Sequence, residues 1–349
     1  MESTSIAKSA LLMFFIVLVS VTAWEIHLRN SGVTRTYDDG GPLWSDRRSR
    51  VYQPAEKTTV FIGSSRIKFD LDIPTWTTMT GTNAVQLACV GSNPIPLLQD
   101  LADDPGFKGR LVVDVTEILF FSTAPPNLVT PLDNIHYYKD RTPAQRASFA
   151  LDHVLESQLA FLDKDNFSLN AYLRRLPIKD RPGVFEEPIF PWQFGRVNFS
   201  RQETMTTEFL TDTNLHRRVT NIWEFFRRIS KEPPASGAKL DSLLNIVKVS
   251  TDKIKARGGS VFFVRTPSSG PFWQGEQMGY PRDKYWERIL QVTGCGGLHF
   301  MDYPVLNHFV CPEWSHLAPA DAIIFTNEFI RIPREEKGWT FPVAATEPH

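Results

Sequence analysis

The chain has 349 residues, 42% of them hydrophobic and 22% charged, with a formal net charge of −1 at pH 7. That length buries a large core, as one domain or two. The near-neutral balance lacks the basic footprint of a nucleic-acid binder, so no nucleic-acid partner is expected. The 25 prolines point to long ordered loops rather than a tight helical bundle.

The first element is apolar. Residues 9–24, SALLMFFIVLVSVTAW, form sixteen positions without a charge, preceded by Lys8. A spanning helix needs roughly 17–25; Ile6 and Ala7 extend the run, with Lys8 snorkelling to the headgroups. Two readings stay open: an uncleaved anchor over residues 1–28, and a cleaved signal peptide with Val21-Thr22-Ala23 before the cut. Both export the remaining chain. Charge bias leaves orientation undecided, because Arg29, Arg35, Arg47, Arg48 and Arg50 follow the segment and only Lys8 precedes it.

Residues 29–56 are polar and read as a membrane-proximal linker. The run 58–62, Thr-Thr-Val-Phe-Ile, stops at Gly63-Ser64-Ser65 and is followed by an amphipathic stretch, 67–71. It predicts a buried strand ending in a tight turn that displays a hydroxyl at the carboxyl edge, where ligands bind in open α/β sheets. A second strand within 84–90 ends at Gly91-Ser92-Asn93-Pro94, before a proline-opened helix at 95–101. A third, 110–115, ends at Thr116-Glu117. Three strands ending in small or polar clusters describe a parallel sheet with its site at one edge.

The rhythm breaks over 125–238, read as a largely helical insertion that covers the sheet edge. Helical patterns span 142–162, 166–176 and 209–229, and a proline-rich loop fills 177–204. The α/β order then resumes with a helix at 240–256, a strand at 260–264 leading to Arg265, a helix at 282–292, a short strand at 298–301 and a last helix from 318 to 330. The α/β domain therefore spans 57–335, and 336–349 is a loose tail.

Cys89 lies in an apolar run and reads as a small buried hydrophobe. Cys295 and Cys311 flank a strand and are candidates to pair in an oxidising compartment. No cysteine spacing suits zinc, so neither metal nor cofactor is expected.

A serine nucleophile needs a base. Of the eight histidines, His316 stands out, lying just before a helix with Glu313 three positions upstream, where a carboxylate can hold the far ring nitrogen. Arg66 and Arg265 lie near the sheet edge and, with Asn93, are candidate contacts to an anionic substrate; ion-paired arginines are the alternative. An anion nest at the Gly63 turn lacks the lysine and longer glycine loop such sites use.

Together these pieces resemble the SGNH (GDSL-like) hydrolase superfamily. Gly63-Ser64-Ser65 stands at its first block, Gly91 follows the second strand, and Glu313-Trp-Ser-His316 fills the last block. The chain is similar in particular to the membrane-anchored bacterial branch that begins Gly-Ser-Ser and works beside membrane O-acyltransferases on exported polysaccharides. The resemblance implies a flavodoxin-like three-layer fold, Ser65 as nucleophile, His316 as base and Glu313 as orienter. The Ser65 and Gly91 amides would hold the oxyanion. It also implies an ester-bearing glycan or acyl donor as substrate, a membrane O-acyltransferase as partner, and a place on the periplasmic side of the inner membrane. One departure bears on catalysis: Thr116 stands where the family has an oxyanion asparagine, so its hydroxyl is the expected third donor. A catalytically weak accessory protein that binds a glycan or the acyltransferase is the alternative reading.

Overall fold

The structure is a computed structural model that describes residues 2–33, 36–54, 57–174, 176 and 188–339. It divides into two units: Met1–Asp38 with Pro143–Glu186, and Asp39–Thr142 with Glu187–His349.

The larger unit is built on a parallel sheet. Its strands are β1 (Thr58–Ile62), β2 (Asn83–Gln86) and β3 (Arg110–Asp114). A short antiparallel hairpin follows, β4 (Arg196–Val197) and β5 (Glu203–Thr204). The sheet is completed by β6 (Ser260–Arg265) and β7 (Gly296–His299), in the order β2-β1-β3-β6-β7. The chain leaves β1 for one side and returns across it for the other, so the order reverses beside β1. In open α/β sheets such a reversal marks the carboxyl edge where ligands bind.

Side-chain alternation shows why both faces are covered. Val60, Ile62, Leu111, Val113, Val261 and Phe263 enter one core cluster, shared with the helices Ile95–Asp103 and Gly237–Ala256. Phe61, Val112, Phe262 and Val264 enter the other, beneath the helix Pro319–Glu336. Neighbouring residues thus point to opposite faces and both are apolar, the signature of a parallel sheet sandwiched between helices.

The stretch expected to be a linker is partly core. Residues Gly41–Arg48 form a helix with Pro42 in its first turn, where a missing N–H is tolerated. Leu43 and Trp44 are buried, and the Trp44 indole donates to the Leu87 carbonyl at 2.9 Å. Arg48 is buried against Asp100 and Asp104 at 2.9 and 2.8 Å. Two apolar side chains among polar neighbours left too short a period to read. Three more helices were missed, Ile73–Thr80, Pro126–Asp140 and Gly270–Gly279. Pro131 hid Pro126–Asp140, and Gly270, Gly275 and Gly279 hid Gly270–Gly279.

The insertion is not one block. Residues 126–140 and 188–238 belong to the larger unit, while 143–186 group with the N-terminal helix. Of the expected loop at 177–204, residues 177–187 lie outside the described residues; the rest holds the β4–β5 hairpin. The expected tail begins inside the last helix, and its residues 340–349 lie outside the described ones.

In the smaller unit, Ile6–Asn30 is a helical run of 25 residues whose most apolar 18-residue window has mean hydropathy 2.2, long and apolar enough to cross a membrane. Near its end the Glu25 carboxylate accepts the Ala160 and Phe161 N–H groups at 3.0 and 3.1 Å. The helices Pro143–Glu156, Lys164–Phe167 and Leu169–Arg174 complete this unit.

All three cysteines are unpaired. Cys295 sits at the amino end of β7, whereas Cys311 contacts the Pro267 carbonyl, past the carboxyl end of β6. Four parallel residues separate the two levels by roughly 13 Å, beyond disulfide reach.

Trp44→Ala is expected to lower the unfolding free energy of the detergent-solubilised chain by roughly 3–5 kcal/mol. A linker side chain would cost under about 0.5 kcal/mol in the same denaturant titration.

Candidate active site

The site begins where β1 ends. A Cβ on Gly63 would meet the Asp114 Cβ at 2.5 Å and Ile67 Cγ2 at 2.8 Å, so only glycine fits where the strand exits. Ser64 caps the helix Ser65–Asp70, its hydroxyl accepting the Arg66 N–H at 3.4 Å. Ser65 therefore opens that helix, where backbone N–H groups lack intrahelical acceptors. From Thr58 to Asp70, Ser65 alone is not fully buried.

Ser65 Oγ lies 2.8 Å from His316 Nε2, and His316 Nδ1 lies 2.9 Å from Glu313 Oε1. Glu313 and His316 are 0% and 1% exposed. A carboxylate can only accept, so Nδ1 carries the proton and the Nε2 lone pair faces the Ser65 hydroxyl. Glu313 Oε1 also takes the His316 and Ser315 N–H groups at 2.7 and 3.3 Å. Its other oxygen accepts the Trp223 indole N–H at 2.6 Å. The loop between them is strained: Trp314 has φ 80°, a left-handed conformation unusual for a bulky residue. The imidazole is enclosed by Phe69, Phe194 and Trp223, with ring centroids 4.5, 5.5 and 6.1 Å away.

Two buried carboxyls hold this arrangement from below. Asp70 accepts the Leu317 N–H at 2.9 Å, next to His316, and burial pushes its pKa well up. Asp114 Oδ2 receives the Ser64 hydroxyl at 3.3 Å and the Thr116 hydroxyl at 3.1 Å, and Oδ1 receives Thr266 at 3.3 Å. Burial raises this carboxyl too, against the pull of Arg66.

Thr116 corrects an expectation. Its hydroxyl is buried between Asp114 and Ser64 Oγ, the latter at 2.8 Å, so its proton is committed inside the fold rather than offered to an oxyanion. Gly91 stands at the same sheet edge. Leu87 and Cys89 continue the β2 ladder by donating to the Phe61 and Gly63 carbonyls. Gly91 follows them, exposed and left-handed at φ 62°.

The three candidate substrate contacts are structural instead. Arg66 reaches Glu276 Oε1 at 2.5 Å and Ser315 Oγ at 3.2 Å; Arg265 reaches Glu276 Oε2 at 2.5 Å and Glu117 at 3.1 Å. Both guanidiniums are at most 1% exposed. Asn93 is buried, donating to the Ser122 carbonyl at 2.7 Å and accepting the Ile95 N–H at 2.7 Å. His299 is buried and neutral: desolvation, helped by Arg265 and Arg282, holds its pKa down to about 2. Among the described residues no group of three or more His, Cys, Asp or Glu is placed to hold a metal.

Trp223, Glu276 and Asp70 are site residues that sequence reasoning missed. Trp223 reads as one more apolar position of an amphipathic helix. Glu276 lies on a helix masked by glycines, and nothing in the amphipathic stretch that holds Asp70 marks its bond to Leu317.

Glu276→Gln leaves two buried guanidiniums short of their shared counter-charge. It is expected to lower unfolding stability by roughly 3–5 kcal/mol, read by denaturant titration; a change within about 0.5 kcal/mol would mean the pairs are not built in. No protein-family model matches the chain, and no curated protein matches it in sequence.

Proposed function

We propose that this chain is an SGNH-type serine esterase or O-acyltransferase with Ser65 as nucleophile, His316 as base and Glu313 as its orienter. The observation that carries the reading is the unbroken chain from Ser65 Oγ through the imidazole to Glu313, at 2.8 and 2.9 Å. Ser65 attacks an ester carbonyl while Nε2 takes its proton. Glu313 stabilises the imidazolium, assisted by the indole donor on its second oxygen. The developing oxyanion sits against the amides of Ser65 and Gly91. Collapse of the tetrahedral intermediate expels the alkoxide, which takes the proton from Nε2 and leaves an acyl-Ser65. Water, or a sugar hydroxyl, then gives its proton to Nε2 and attacks the acyl group, and collapse expels Ser65 Oγ, which takes that proton back from Nε2. The substrate is an acyl ester, in this reading the acetyl ester of an exported polysaccharide, worked on beside a membrane O-acyltransferase by a domain anchored on the periplasmic face. That substrate class, partner and location rest on the resemblance of the Gly63, Gly91 and His316 blocks.

A second reading has its own observation. With Thr116 tied to Asp114, the oxyanion loses a donor, which favours a slow catalyst or an accessory glycan-binding protein.

Ser65→Ala is expected to abolish labelling by a fluorophosphonate and to lower hydrolysis of p-nitrophenyl acetate by roughly 10⁴–10⁶-fold. Equal labelling of both proteins would overturn the nucleophile assignment. Thr116→Val is expected to lower kcat less than about tenfold, whereas deletion of a working oxyanion donor costs roughly 10²–10³. Steady-state rates on the same ester separate the two.

A further inference from the structure

The smaller unit carries an apolar face that its own fold does not bury. On the helix Pro143–Glu156 no residue is buried, and Leu151, Val154 and Leu155 are 69%, 51% and 50% exposed. Beyond it, Leu169 and Leu173, one turn apart on the helix Leu169–Arg174, are 73% and 49% exposed, and Leu176 past its end is 57% exposed. Six large exposed side chains, five of them on two helices, are unusual on a water-facing surface. They follow the pattern of helices that lie in a lipid interface.

Their level relative to the N-terminal helix is built in. The uncharged run ends at Trp24, and Glu25 is the first carboxylate after it. That carboxylate holds the Ala160 and Phe161 N–H groups, Arg29 donates to the Gln158 carbonyl, and Trp24 packs edge-on against Phe167 at 6.4 Å. Residues 158–167 are therefore fastened where the apolar helix turns polar, between the two exposed groups. A helical run of 25 residues is about 37 Å long and overshoots a hydrocarbon core of about 30 Å. The fastening point thus falls in the headgroup region, where tryptophan is enriched.

We propose that residues 143–176 form a membrane-interface collar, with Leu151, Val154, Leu155, Leu169, Leu173 and Leu176 resting on the lipid surface from which the N-terminal helix emerges. The collar rests on the anchor reading of that helix. The continuity of the two apolar surfaces, joined through Glu25, selects lipid as the occupant.

The test uses the full chain with Cys295→Ser, reconstituted in phosphatidylcholine–phosphatidylglycerol vesicles. Nitroxide labels are placed singly by Phe15→Cys, Leu151→Cys, Leu173→Cys and, on the other unit's surface, Val249→Cys. Collision with oxygen reports lipid, and collision with a nickel chelate reports water. The expected result is an oxygen-to-nickel ratio at 151 and 173 several-fold above that at 249, with 15 the highest. If 15 reports lipid while 151 and 173 match 249, the anchor stands and the collar is overturned. If 15 itself reports water, the anchor reading fails and the collar with it. A photoreactive residue at 151 in native membranes gives lipid adducts if the collar lies on the bilayer. A protein adduct without lipid overturns the lipid assignment in favour of a membrane-protein partner.

Discussion

One carboxyl, Asp114, gathers the exits of three adjacent strands. It meets the Ser64 amide and hydroxyl leaving β1, the Thr116 hydroxyl leaving β3 and the Thr266 hydroxyl leaving β6. Its Cβ stands where any side chain on Gly63 would have to be. The turn that presents Ser65 has one available shape because this group occupies its inner side. The Thr116 hydroxyl is spent on holding the same knot.

A second set of buried charges sets the distance between Ser65 and His316. Arg66, next to Ser65, reaches Ser315, next to His316, and both strand ends are braced through Glu276 to Arg265 and Glu117. Asp70 adds a bond to Leu317 on the other side of His316. Ser65 and His316 are 251 residues apart in sequence yet 2.8 Å apart in space. Rigid partners on both flanks of each residue make that spacing repeatable.

The fold was largely legible where local pattern and burial coincide. The strand Thr58–Ile62 has the bounds its apolar run predicts, because both faces are covered and every side chain is apolar or small. The Glu313–His316 pair was readable because three positions along a tight turn bring a carboxylate under a ring. Where a single residue carries the burial, as Trp44 does in a polar stretch, periodicity has nothing to detect. Arg66 and Arg265 stood at the edge that the strand order assigns them, but their shared partner Glu276 sits on a helix broken up by glycines.

By itself the sequence determined the alternation of strands and helices, the hydroxyl at the end of β1, the acid–histidine turn and the apolar N-terminal run. Each of these depends on neighbours within a few positions. Tertiary structure alone decided which hydroxyls and guanidiniums face inward, because burial depends on what arrives from elsewhere in the chain. It turned Thr116, Arg66, Arg265 and Asn93 into structural groups, and it brought Trp223 onto Glu313 from ninety residues away. A hydrogen-bond donor that distant leaves no mark on the local pattern of either segment.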